Sequence, residues 1–210
     1  MNNPDRLNSL FVIAAPSGGG KTSLINGLLK RDTGLALSIS HTTRQPRPGE
    51  TDGQHYHFIS APVFAQMVED GDFLEHARVF DHLYGTNRKS IAAQLEGGCD
   101  VILDIDWQGA HQVRAAFPGS CLIFIIPPSL ESLHERLTRR GQDSEAVIQR
   151  RMRDARSEIS HWAEFDYLIA NDNFVAALEE LLAIINDHRR QRPRKANKDH
   201  QYLAERLGKR

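Results

Sequence analysis

The run Ala15-Pro16-Ser17-Gly18-Gly19-Gly20-Lys21-Thr22 holds the residue types that bind a phosphate chain. Glycines let successive backbone N–H groups converge on phosphate oxygens. A lysine and a hydroxyl follow at the spacing of the P-loop pattern, Gly-x-x-x-x-Gly-Lys-Ser/Thr. In that chemistry Lys21 contacts the β- and γ-phosphates and the Thr22 hydroxyl holds Mg²⁺. Ala15 stands where the pattern has glycine, which a residue with φ below zero tolerates. The run points to a nucleoside triphosphate and leaves the phosphoryl acceptor open.

Such a loop needs a strand before it and a helix behind it. Leu-Phe-Val-Ile-Ala at 10–14 is apolar without alternation, as in a parallel strand buried on both faces. Leu24, Ile25, Leu28 and Leu29 recur at helical spacing beyond the loop, with Gly34 past the end. The rhythm returns with strands at 101–105, 122–126 and 165–170. Helices are expected over 107–117, after a Ser129 cap with Leu130, Leu133 and Leu137 on one face, and over 174–185. The fold class is therefore α/β, a parallel-sheet P-loop core with helices on both faces. Residues 41–89 break the rhythm with turn formers and short strands of antiparallel character. They read as an inserted small mixed α/β subdomain. Residues 136–156 carry seven arginines around Gly141 on helical, polar sequence and read as mobile or ligand-facing.

With 40% hydrophobic and 25% charged residues among 210, the chain has an ordinary globular composition. Its apolar runs are far shorter than the roughly 20 residues a membrane helix needs. No signal-peptide pattern opens the chain, so a cytoplasmic protein is expected. Cys99 and Cys121 cannot make a disulfide framework and read as small core residues. The net charge of −1 hides a basic tail: residues 189–210 hold nine Lys/Arg against two Asp/Glu, leaving the rest at −8. That acidic body argues against a nucleic-acid-binding ATPase. The tail admits a homo-oligomer without singling out an interface.

Farther along stand Ser38-Ile39-Ser40-His41-Thr42-Thr43-Arg44-Gln45-Pro46-Arg47-Pro48-Gly49-Glu50 and Gly53-Gln54-His55-Tyr56-His57-Phe58. Then come Phe73-Leu74-Glu75-His76-Ala77, Tyr84-Gly85-Thr86, and Ile102-Leu103-Asp104-Ile105-Asp106-Trp107-Gln108-Gly109. In this order and spacing, over roughly residues 8–188, the chain closely resembles guanylate kinase, the family that phosphorylates GMP with ATP. The resemblance implies a P-loop core at 1–40 and 90–188 with its lid at about 136–156, a GMP-binding subdomain at 41–89 and a tail at 189–210. It implies ATP and GMP as substrates, with dGMP beside GMP, Mg²⁺ as cofactor, and neither membrane nor nucleic acid as partner.

The same resemblance assigns residues. Arg44, Arg47, Tyr56 and Tyr84 stand at the family's positions for the GMP phosphate, and arginine's planar fork suits a phosphate as lysine does not. Glu50 belongs to the same GMP-binding motif. Glu75 stands where a carboxylate accepts from guanine N1–H and N2–H₂, and Ser40 and Thr86 where hydroxyls meet the base. Asp104 resembles a Walker-B-type acid, acting on Mg²⁺ directly or through water, or orienting GMP. Asp104 and Asp106, two apart, would share a strand face, with helix capping as the alternative for Asp106. Arg136, Arg140 and Arg151 occupy the lid's recurring arginine positions, where guanidinium groups stabilise the transferred phosphoryl. Asn171 and Asp172 match the family's Asn-Asp on the adenine side. An interaction module of the same family would have a degraded loop and lid, whereas Lys21, Thr22 and the lid arginines are present. The ten histidines are expected to be structural or exposed: phosphoryl transfer to an anionic phosphate needs no general base.

Overall fold

A computed structural model of the chain describes residues 8–139 and 144–190. In chain order the elements are β1 (Leu10–Ala14), α1 (Lys21–Arg31), β2 (Leu35–Leu37), β3 (His41–Thr42), β4 (His57–Phe58), α2 (Ala61–Glu69), β5 (Phe73–Val79), β6 (His82–Asn87) and α3 (Arg88–Glu96). They continue with β7 (Asp100–Asp104), α4 (Trp107–Ala116), β8 (Cys121–Ile126), α5 (Leu130–Arg139), α6 (Glu145–Ser160), β9 (Tyr167–Ala170) and α7 (Phe174–Arg189). Five strands take the order β2-β7-β1-β8-β9, and the β2–β7 and β8–β9 pairs are parallel. A second sheet has the order β4-β3-β6-β5.

The chain divides into two compact units. Among the described residues, the first holds 8–11 and Thr33–Ser120; the second holds Val12–Asp32, 121–139 and 144–190.

In the first unit, all four strands of the second sheet come from residues 41–87. The β3–β6 and β5–β6 pairs are antiparallel, as the turn-rich sequence implies, but β3 and β4 pair in parallel, and α2 lies between β4 and β5. The helices here start on side-chain caps. Ser60 accepts from Val63 N, Asn87 from Ser90 N and Asp106 from Gly109 N. That last cap corrects the expectation that Asp106 shares a strand face with Asp104. The strand runs 100–104 rather than 101–105, and Asp106 already lies outside it as the cap of α4. The capping alternative therefore holds. β2 adds a strand that a three-residue Leu-Ala-Leu run does not announce.

In the second unit, every residue of β8 is buried, as its continuous apolar sequence requires. The Ser129 hydroxyl accepts from Ser132 N at 3.0 Å, and Leu133 and Leu137 are buried on α5. They pack with Ile148 and Ala155 of α6, so α5 and α6 share an apolar cluster between the polar faces that carry the arginines. The last strand is shorter than 165–170, because Trp162–Glu164 form a 3-10 turn before it. The final helix runs beyond 185 to Arg189, whose guanidinium pairs with Asp32. The remainder of the basic tail, 191–210, lies outside the described residues, as does Arg140.

Cys121 is buried in β8 and Cys99 is half-buried; neither forms a disulfide among the described residues. His55 lies in a turn, where its Nδ1 accepts from Thr51 N at 3.0 Å. His57 is in β4, its ring 4.6 Å from that of His41. No helix among the described residues is long and apolar enough to cross a membrane.

Candidate functional site

The phosphate-loop residues lie in the second unit. Gly18 and Gly20 have φ of 89° and 91°, a region closed to most side chains, so two glycines of the run are required by the backbone itself. Gly19 N donates to Pro16 O at 2.8 Å and tightens the turn. α1 then starts directly at Lys21 with no side-chain cap and no acidic residue in its first turn. The positive end of its dipole therefore meets no carboxylate of its own first turn, a setting that suits an anion. Thr22 is exposed at the second residue of α1, a hard oxygen donor of the kind Mg²⁺ takes together with phosphate oxygens and water.

Residues distant in sequence brace this loop. The Asn171 side chain, buried at the end of β9, donates through Nδ2 to Gly19 O at 2.8 Å. The Asn171 backbone carbonyl accepts from Arg136 Nη2 at 2.9 Å, so α5, the β9 end and the loop are tied in series. A β-carbon on Gly18 would come within 2.8 Å of Leu133 Cδ1, showing how closely α5 packs on the loop. Ser17 N donates to Glu158 Oε2 of α6 at 3.2 Å. Sequence reasoning missed Glu158. The signal was its place seven residues beyond Arg151, on the same helix face. Arg151 is half-buried on α6. Asp172 is exposed, its carboxylate turned back on Asn173 N.

The first unit brings together Arg44, Glu50, Tyr56 and Tyr84. Arg44 donates through Nη1 and Nη2 to the two oxygens of Glu50, both at 2.9 Å, a two-point ion pair with side chains 10% and 17% exposed. Its guanidinium carbon stands 5.3 Å over the Tyr56 ring, and the Tyr84 hydroxyl is a further partner. Tyr56 and Tyr84 meet edge to face at 5.8 Å. Glu50 also accepts from Arg47 N, and Arg44 holds its carboxyl below the usual carboxylate range. Burial, with the Asp104 charge next, pushes the Tyr56 hydroxyl up to about 12. Tyr56 therefore remains a proton donor at neutral pH. Asp104 ends β7, half-buried. The Arg47 side chain is exposed and is not drawn into the cluster, although its charge acts on Glu50.

Glu75 and Thr86 are directly opposed on β5 and β6. Thr86 Oγ1 donates to Glu75 Oε1 at 2.5 Å, and Glu75 is only 3% exposed. Burial pushes the Glu75 carboxyl up to about 7, against the help of Thr86 and with the Asp106 charge adding to the rise. Ser40 is buried just before β3, its carbonyl accepting from His57 N.

The raised Glu75 pKa makes a stability prediction. An unfolded glutamate loses its proton near 4.5 and the folded one near 7, so stability falls as pH rises across that window. The total change is about 3 kcal/mol. Urea midpoints at pH 5 and pH 8 should show this fall in the natural chain and a smaller one in Glu75→Gln.

Comparison with known proteins adds the rest. The family model described as guanylate kinase matches residues 8–188. A guanylate kinase of Alkalilimnicola ehrlichii is 56% identical over 186 residues, covering 88% of this chain and 92% of the relative. One of Nitrosococcus oceani is 54% identical over 199 residues, covering 95% and 98%. The crystal structure of guanylate kinase from Anaplasma phagocytophilum superposes with a TM-score of 0.74 at 28% identity, covering 98% of each chain.

Proposed function

The chain belongs to the guanylate kinase family, and on that premise we propose that it transfers the γ-phosphoryl group of ATP to a phosphate oxygen of GMP, giving GDP and ADP. The observation that carries the acceptor's identity is the buried Glu75–Thr86 pair. Guanine presents two adjacent donors, N1–H and N2–H₂, and a buried carboxylate accepts both. Adenine presents an acceptor at N1 and would face that carboxylate unfavourably. Ser40 and Thr86 supply hydroxyls for the rest of the base edge.

The residues divide the work. The loop from Ala15 to Thr22 holds the ATP phosphates on backbone N–H groups, and Lys21 offsets their charge. Bound Mg²⁺ would supply charge neutralisation of the ATP phosphates, with Thr22 as its protein ligand and Asp104 as a further acid acting directly, through water, or on GMP. Residues 41–89 form the GMP-binding subdomain. Arg44, its plane fixed by Glu50, takes the GMP phosphate with Arg47 and the hydroxyls of Tyr56 and Tyr84. Arg136, Arg140 and Arg151 of the lid stabilise charge on the phosphoryl in transit. Asn171 serves the nucleotide by holding Gly19, and Asp172 lies on the adenine side. Catalysis is positioning and electrostatics, with no covalent enzyme intermediate. dGMP is a second acceptor. The reaction recycles guanine nucleotides in the cytoplasm, where its substrates are, and involves no nucleic acid.

ADP formation from ATP–Mg²⁺ with GMP, dGMP, IMP, AMP, CMP and UMP tests this reading. GMP should lead by a wide margin. Equal rates across the bases would remove the guanine assignment. Within it, Arg44→Lys should raise KM for GMP by about tenfold or more, since an ammonium cannot hold Glu50 and a phosphate in one plane. KM for ATP should stay within about twofold, read in the same assay.

A further inference from the structure

We propose that Gly109 and Gln112, on one face of α4, are positioning residues that fix where the Glu75 carboxylate stands, and thereby how strongly guanine is preferred over hypoxanthine. The inference rests on the reading of Glu75 as the guanine acceptor. β5 is the edge strand of its sheet, and its register with β6 shifts between Phe73 and Glu75. An edge strand with an irregularity beside a functional residue needs support on its open side.

α4 supplies it. Gln112 Oε1 accepts from His76 N at 3.1 Å while Gln112 Nε2 donates to His76 O at 2.8 Å, as a neighbouring strand would. Gln108 Nε2 donates to Arg78 O at 3.3 Å, two residues along the same edge, and also to Asp106 Oδ2 at 2.9 Å. One glutamine side chain thus clamps both backbone groups of the residue next to Glu75.

Gly109 acts on the carboxylate itself. It is buried within α4 and its φ is not positive, so the backbone does not require glycine there. An α-helix would gain by about 1 kcal/mol from alanine. A β-carbon at Gly109, however, would lie 2.5 Å from Glu75 Oε2, 3.1 Å from its Cδ and 3.1 Å from Ile105 Cδ1. The missing side chain is the space the carboxylate occupies. Thr86 holds the other oxygen, so a methyl group would push Glu75 off that hydroxyl.

IMP lacks the exocyclic amine and meets the carboxylate through one donor instead of two, so the ratio of kcat/KM for GMP to that for IMP reports the position of Glu75. The ratio is measured for the natural chain, Gln112→Met, Gly109→Ala, Glu75→Gln and the two double variants with Glu75→Gln. Gln112→Met loses two uncharged hydrogen bonds and should lower the ratio by about tenfold. Gly109→Ala should lower it at least as much, and in both the loss should fall on KM for the monophosphate while KM for ATP is unchanged. In the Glu75→Gln background neither should lower the ratio further. Should Gly109→Ala fail to fold, Gln112→Met decides alone. The inference is overturned if the folded single variants keep the natural ratio within twofold, or lower it equally without Glu75. A natural chain with a ratio near one, or a ratio untouched by Glu75→Gln, overturns the guanine reading itself and this inference with it.

Discussion

Glu75→Gln is expected to cut kcat/KM for GMP by about 10²–10⁴-fold while KM for ATP holds, because two charge-assisted hydrogen bonds of about 1.5–3 kcal/mol each are lost. The amide keeps one acceptor but turns an N–H₂ toward guanine's donors, so one contact becomes repulsive. AMP, whose N1 is an acceptor, should gain relative to GMP. Sites built to hydrogen-bond a particular edge discriminate in this way. Burial pushes the Glu75 carboxyl of the ligand-free protein up to about 7, so its ionisation falls within the pH range of the assay. Guanine's donors favour the ionised form, and KM for GMP should therefore fall as pH rises through 7. A phosphate monoester titrates near 6, so the Glu75→Gln profile, which retains only that step, is the reference. Initial rates against GMP and AMP between pH 5.5 and 8.5 give both results.

Gly20→Ala is expected to lower kcat/KM for ATP by about 10²–10³-fold, as misplacement of phosphate-holding groups by about 1 Å does. Two effects combine. Gly20 sits at φ 91°, where an L side chain is strained. The added methyl would lie 2.2 Å from Asn171 Nδ2, so Asn171 must release Gly19 O and the loop loses its brace. GMP binding, measured by calorimetry without ATP, should change by less than about twofold, because the residues proposed to bind GMP belong to the other compact unit, around β3–β6. Gly71→Ala is the control. Its φ is 68° with open space around the missing side chain, so it should cost stability and leave ATP use intact.

The glycine loop was legible because the signals that mark it are local: glycines at the two positions of positive φ, a lysine and a hydroxyl at fixed spacing, an apolar strand before and a helical period after. β1 and β8 were legible as unbroken apolar runs. β2 was not, since Leu35–Leu37 is too short to show a period and owes its strand to pairing with β7. Asp106 shows two local signals in competition. Its spacing from Asp104 suggested a shared strand face, and the helix start three residues before Gly109 N prevailed. The parallel β3–β4 pair could not be read from turns, because the pairing joins His41 to His57 across a long loop.

The parts of the site that stayed hidden are those whose contacts span the chain. Asn171 stood in the sequence as half of an Asn-Asp pair, but nothing local shows that its amide donates to Gly19, 152 residues away. Gln112 belongs to none of the motifs, and its clamp on a strand 36 residues earlier leaves no local signal. Glu50 stood in the motif, but its two-point pairing with Arg44 is visible only where the Pro-rich turn folds back.

Tracing the label from ATP carrying a radioactive γ-phosphate, with GMP and Mg²⁺ present, tests the central claim most directly. One labelled GDP should form for each ADP, with the label in the β-phosphate, and Lys21→Ala should abolish both products together. Release of labelled inorganic phosphate without labelled GDP, from folded protein that still binds GMP, would contradict a GMP kinase.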